Sequence, residues 1–214
     1  MKSDFFTRIS IILAFIGFGA FMVLGSLAIL FYAPGWSILD DSFSIAGSII
    51  PGNDTSVVLM MLGLGISGAL MIPVAFAFMK SAAGNLKEKK QYFAFIGCIL
   101  QVVGRVFMIL VGLFPKIPWD EVHDSIAIVW FVGEVSGMVL IGIEMLRGKR
   151  DIAWGIVALV LVALGGLLWI PYGDWYDGAA IPEIASVAAI YGFAIAMWIR
   201  ALGSADGILL GNAR

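Results

Sequence analysis

The chain has 214 residues, 61% of them hydrophobic and 13% charged, with a formal net charge of -2. Soluble domains carry only about 45–50% apolar residues, so this composition excludes an ordinary soluble globular domain. The single cysteine, Cys98, and the single histidine, His123, exclude an intrachain disulfide, a cysteine-built metal cluster and any site made from several histidines of one chain.

The apolar residues fall into long runs separated by short polar loops, as in a polytopic helical membrane protein. Six spans are expected, at 9–33, 56–79, 92–114, 121–146, 152–171 and 183–203, each near the ~20 residues that cross a bilayer. The fold class that follows is all-α, with residues 1–214 forming one domain, a six-transmembrane-helix bundle. The first run is too long for a signal-peptide core and reads as a retained helix. Span 2 carries Gly63, Gly65, Ser67 and Gly68, small residues that let membrane helices approach closely. Span 3 carries Gln101 and Arg105 within an apolar run. Span 4 opens on Asp120 and Glu121, where negative charge favours a helix N-terminus. It continues through His123, the small residues Gly133, Ser136 and Gly137, and Glu134, to Glu144, which is close enough to the following basic loop to snorkel.

The loop charges set the orientation. Lys2, Arg8, Lys80, Lys87, Lys89, Lys90, Arg147, Lys149, Arg150, Arg200 and Arg214 fall on one side, and only Lys116 on the other. By the positive-inside rule both termini are expected in the cytoplasm, in a multi-pass protein of the cell membrane. The opposite side is acidic, with Asp40, Asp41, Asp54, Asp120, Glu121, Asp124, Asp174, Asp177 and Glu183, and carries Trp36, Trp119, Tyr172, Trp175 and Tyr176 as interface anchors. The basic loops are explained by topology, so no nucleic-acid partner is expected.

Arg105 and Glu134 carry the strongest functional signal. Arg105 is ten residues before Pro115 and Glu134 eleven after His123, which places both on the order of 15 Å from the loop between spans 3 and 4. Ionisable groups at that depth are costly and mark function by default. Gln101 shares a helix face with Arg105, and Ser67 lies eleven residues after Ser56. A polar layer of Ser67, Arg105, Glu134 and Gln101 is therefore expected. It is either an ion pair locking spans 3 and 4 or an outward-facing pocket in which Arg105 binds an anionic headgroup and Glu134 handles a proton. Arginine suits the former task because its planar fork binds two oxygens at once.

For catalysis the candidates are His123, Glu134, Asp124, Glu183 and Asp41, with His123 at the mouth of the pocket as a general base beside a carboxylate. No Gly-Xaa-Ser-Xaa-Gly elbow, phosphate loop or helical metal motif is present. No metal site and no cofactor are expected.

The order of features resembles a known family. The first outer loop reads Pro34-Gly-Trp-Ser-Ile-Leu-Asp-Asp-Ser-Phe-Ser-Ile-Ala-Gly47, span 2 contains Leu62-Gly-Leu-Gly-Ile-Ser-Gly68, and span 3 ends Val111-Gly-Leu-Phe-Pro115 with His123 following. This resembles the prokaryotic membrane proteins grouped as domain of unknown function 998, related to the DRAM and Sfk superfamily. Matching positions are Ser37, Ser44, Gly47, Gly112, Phe114, Pro115 and His123. The acidic residue that normally follows the loop serine is replaced here by Ile45 and Ala46 before Gly47. The resemblance implies six spans and an association with membrane lipids, without a defined reaction.

Four functions remain open on the sequence: a lipid-binding or lipid-handling protein with Arg105, Glu134, Gln101, Ser67 and His123 as ligand-binding residues; an intramembrane enzyme acting on a lipid or lipid-linked substrate; a small proton- or ion-coupled transporter; and a structural membrane partner.

Overall fold

A computed structural model describes residues 5–83, 91–147, 152–169 and 179–211. Among them are six α-helices and no strand: α1 (Phe5–Leu30), α2 (Asp54–Ala83), α3 (Tyr92–Leu113), α4 (Asp120–Arg147), α5 (Ile152–Leu167) and α6 (Ala180–Gly211). Five are long and apolar enough to cross a membrane. The exception is α5, apolar but only 16 residues long. At 1.5 Å per residue it spans about 24 Å, short of the ~30 Å hydrocarbon core. The expected span 152–171 therefore overruns the helix, which closes in a turn at Leu168 and Trp169. Of the charged and aromatic loop residues named above, Lys2, Lys87, Lys89, Lys90, Lys149, Arg150, Tyr172, Asp174, Trp175, Tyr176, Asp177 and Arg214 lie outside the described residues.

The helices are apolar around their circumference, so both faces find apolar surroundings. Ile12, Val58, Ile128 and Val132 point outward, while Met71, Met108, Met138 and Ile141 are fully buried between helices. Each helix packs mainly on its sequence neighbours, and α6 returns to touch α1, α2 and α4. Pro73 lies inside α2, where Ser10 of α1 donates to its carbonyl at 3.4 Å.

The loop between α1 and α2 is folded down onto the end of the bundle that also carries His123. It contains a 3-10 turn, Phe43–Gly47. Asn53 is its keystone: fully buried, it donates through Nδ2 to Ala46 O (3.1 Å) and Ser48 O (2.7 Å) and accepts from Ala33 N (3.4 Å). Ser56 Oγ bonds Ala28 O at 2.6 Å and also Ala46 O. Ile49 N donates to Ile117 O (2.9 Å), and Ala180 N to Asp41 O (3.0 Å), tying this loop to the α3–α4 loop and to α6. Below it an aromatic column descends into the bundle, with Phe43 against Phe21 (5.5 Å between rings), Phe21 against Tyr191 (5.6 Å) and Tyr191 against Phe18 (4.8 Å). Asn53→Ala removes two buried hydrogen bonds, though Ser56 Oγ still serves Ala46 O and Ile50 N still serves Ser48 O. At about 0.5–1.5 kcal/mol each, a loss of about 1–3 kcal/mol is expected; thermal unfolding in mild detergent measures it, and an unchanged midpoint would remove Asn53 from this role.

A buried polar layer and a lateral cavity

The expected layer forms, and it gains a member. Arg105 Nε of α3 lies 2.6 Å from Glu134 Oε1 of α4, with the side chains 3% and 0% exposed. The contact lacks in-line hydrogen-bond geometry, and Arg105 Nη1 and Glu134 Oε2 have no hydrogen-bond partner among the described residues. Charge rather than a directed bond therefore holds the pair. On α2, Ser67 shares a hydrogen bond with Tyr191 OH of α6, both buried. The Tyr191 hydroxyl also lies in the field of Arg105 and of Glu134. Gln101 is 1% exposed, with both amide atoms unpartnered among the described residues. The layer thus joins α2, α3, α4 and α6.

Glycines bring the helices close enough for this. A Cβ on Gly104 would stand 3.1 Å from the Cγ, N and Oε1 atoms of Glu134. One on Gly137 would stand 2.5 Å from Gln101 Cγ and 2.7 Å from Gly97 O. The missing side chains let α3 and α4 meet backbone to backbone and seat Glu134 over Gly104.

The residues expected to form a catalytic mouth are near one another but engaged elsewhere. His123 is 3% exposed, and its Nδ1–H donates to Phe114 O at 2.6 Å, fastening α4 to the end of α3. No carboxylate among the described residues pairs with its ring. Asp124 accepts from Lys116 Nζ (3.1 Å), which also reaches Asp120 (3.3 Å). Half-burial acts to lower the Lys116 ammonium, but the hydrogen bonds and charges of Asp124 and Asp120 outweigh it and hold it above the ordinary lysine value. Glu183 accepts from Phe43 N at 2.6 Å and so anchors the α1–α2 loop to α6. Asp41 Oδ2 accepts from Ser37 N at 2.8 Å. Among the described residues, no three of His, Cys, Asp or Glu converge as a metal site needs.

A separate cavity of about 280 Å³ lies between α4, α5 and α6. Phe131 and Val135 wall it on α4, Val162 and Gly166 on α5, and Ser186 and Ile190 on α6. None of the layer residues lines it. Trp169 Nε1 donates to Ser186 Oγ at 2.9 Å at its edge. Sequence reasoning missed Tyr191, Ser186 and this cavity. The depth count used for Glu134 had a signal for Tyr191, eight residues after Glu183 and so about 12 Å along the last helix. Gly165-Gly166 in α5 was a weak signal for the cavity.

The model of the Frag1/DRAM/Sfk1/Cwh43P N-terminal domain matches residues 52–202. The chain belongs to that family. The matched segment holds α2 to α5 and most of α6, and with them the whole polar layer and the cavity. Of the motif positions noted above, Gly112, Phe114, Pro115 and His123 fall within the family domain, while Ser37, Ser44 and Gly47 precede it. No curated protein and no solved structure matches this chain. The protein is a multi-pass integral membrane member of the Frag1/DRAM family.

Proposed function

We propose that this protein binds a lipid that enters sideways from the bilayer into the cavity between α4, α5 and α6. One observation carries the reading: a space of about 280 Å³, walled mainly by apolar side chains, lies beside helices that cross the membrane. The fluid around such helices is hydrocarbon, so lipid is the species that meets its mouth. The Arg105–Glu134 pair and the Ser67–Tyr191 bond then serve as the lock that keeps α2, α3, α4 and α6 in register, and His123 fixes the α3–α4 loop. In this reading the protein resides in the cell membrane with both termini cytoplasmic, on the strength of the loop charges. Its place among the prokaryotic members grouped as domain of unknown function 998 rests on the loop motifs alone.

Gly166→Leu tests the site. Gly166 lines the cavity, and a Cβ there meets nothing within 4 Å, so a bulky side chain is added at the cavity wall without straining a neighbour. Native mass spectrometry of gently extracted protein should show a lipid-mass adduct on the wild type that the variant lacks, at unchanged thermal stability. An adduct retained by the variant would end the cavity reading.

A further inference from the structure

The following rests on the cavity being the lipid site. We infer that it takes one hydrocarbon chain together with the neutral ester link of that chain, and leaves the headgroup outside the helices. Size sets the first limit: about 280 Å³ falls just below the roughly 300–1,000 Å³ that encloses a drug-sized ligand, room for the upper part of one chain and not for a two-chain lipid. Charge sets the second. No charged side chain lines the cavity among the described residues, and a phosphate or carboxylate drawn into it would be desolvated without a counter-charge. Arg105, buried on α3, is 2% exposed and paired with Glu134.

The third argument is a hydrogen-bond donor without an acceptor. Ser186 Oγ receives the Trp169 indole N–H at 2.9 Å, which occupies one lone pair and leaves the hydroxyl proton to point elsewhere. Ser186 is 6% exposed, lines the cavity, and has no acceptor for that proton among the described residues. An ester carbonyl accepts and has no proton of its own, so it complements this hydroxyl. The depth agrees. Ser186 is six residues into α6, about 9 Å below its start, and the headgroup region of a bilayer is about 5–8 Å thick on each side. With the first residue of α6 at the membrane surface, Ser186 lies where ester links sit, just beneath the headgroups.

The test uses the full chain in detergent, with palmitoyl lysophosphatidylcholine, palmitoyl lysophosphatidylglycerol, the ether-linked analogue of the first, and sodium palmitate as probes, binding being read by native mass spectrometry and calorimetry. The two ester lysolipids should bind one per chain with equal affinity despite their different headgroups. The ether analogue should bind roughly 2- to 10-fold more weakly, the worth of one hydrogen bond. Ser186→Ala should erase that difference, and Ser186→Thr, which keeps the hydroxyl, should restore it. Equal binding of ester and ether, or tightest binding of palmitate, overturns the ester assignment while Gly166→Leu still abolishes binding. If Gly166→Leu leaves all four probes bound, the cavity reading itself falls.

Discussion

Glu134→Gln is expected to destabilise the protein by about 3–5 kcal/mol, the usual cost of removing one partner from a buried ion pair. Arg105 would keep its charge 2% exposed, with no other carboxylate within reach among the described residues. The double variant Arg105→Met, Glu134→Leu should recover most of that loss, because replacing both charges by apolar groups of similar size removes the desolvation penalty along with the attraction. Unfolding of the three proteins in mild detergent measures both effects. If the double variant is as unstable as the single one, the pair is more than a lock, and its charges are needed by something besides each other.

The second large effect is expected at Gly137. Gly137→Val must push aside Gln101 Cγ, 2.5 Å from the new Cβ, and the Gly97 carbonyl at 2.7 Å. The carbonyl belongs to a helix backbone and cannot swing away, so α3 and α4 must part. Overpacking of this kind costs about 1–3 kcal/mol, and here it also draws Glu134 off Gly104 and away from Arg105. Cys98, 2% exposed beside Gly97, supplies the readout: its alkylation should accelerate at least tenfold for a loss of about 1.4 kcal/mol or more, where labelling follows local opening. Gly65→Ala, whose Cβ meets nothing within 4 Å, is the matched control and should leave the rate unchanged.

The helices and the Arg105–Glu134 level were legible because both depend on counting along a chain. A helix rises a fixed distance per residue, so two charges counted from one loop could be placed together before their contact was seen. The end of α5 was not legible, since Leu167-Leu168-Trp169-Ile170 continues its hydropathy past the last helical turn. Glu183 reads in the sequence as one of the acidic outer residues and as a catalytic candidate, yet its partner is the backbone of Phe43, 140 residues earlier; pairing at that range leaves no local pattern. Tyr191 was passed over because a tyrosine in an apolar span is ordinary until Ser67 is found opposite it. The cavity lies beside Gly165 and Gly166, where α5 lacks side chains, and its other walls come from α4 and α6, so no single run of sequence records it.

The closeness of Arg105 and Glu134 also decides how the protein responds to the membrane potential. A unit charge moved across the full membrane gains or loses about 2.3 kcal/mol per 100 mV. Ionised groups of opposite sign only 2.6 Å apart occupy nearly the same point in that field, so its pull on one cancels its pull on the other. The energised state of the membrane therefore does not bias this bundle through its deepest charges. In a chain that keeps Arg105 and has lost Glu134, the cancellation is gone, and every shift of α3 along the membrane normal becomes electrical work.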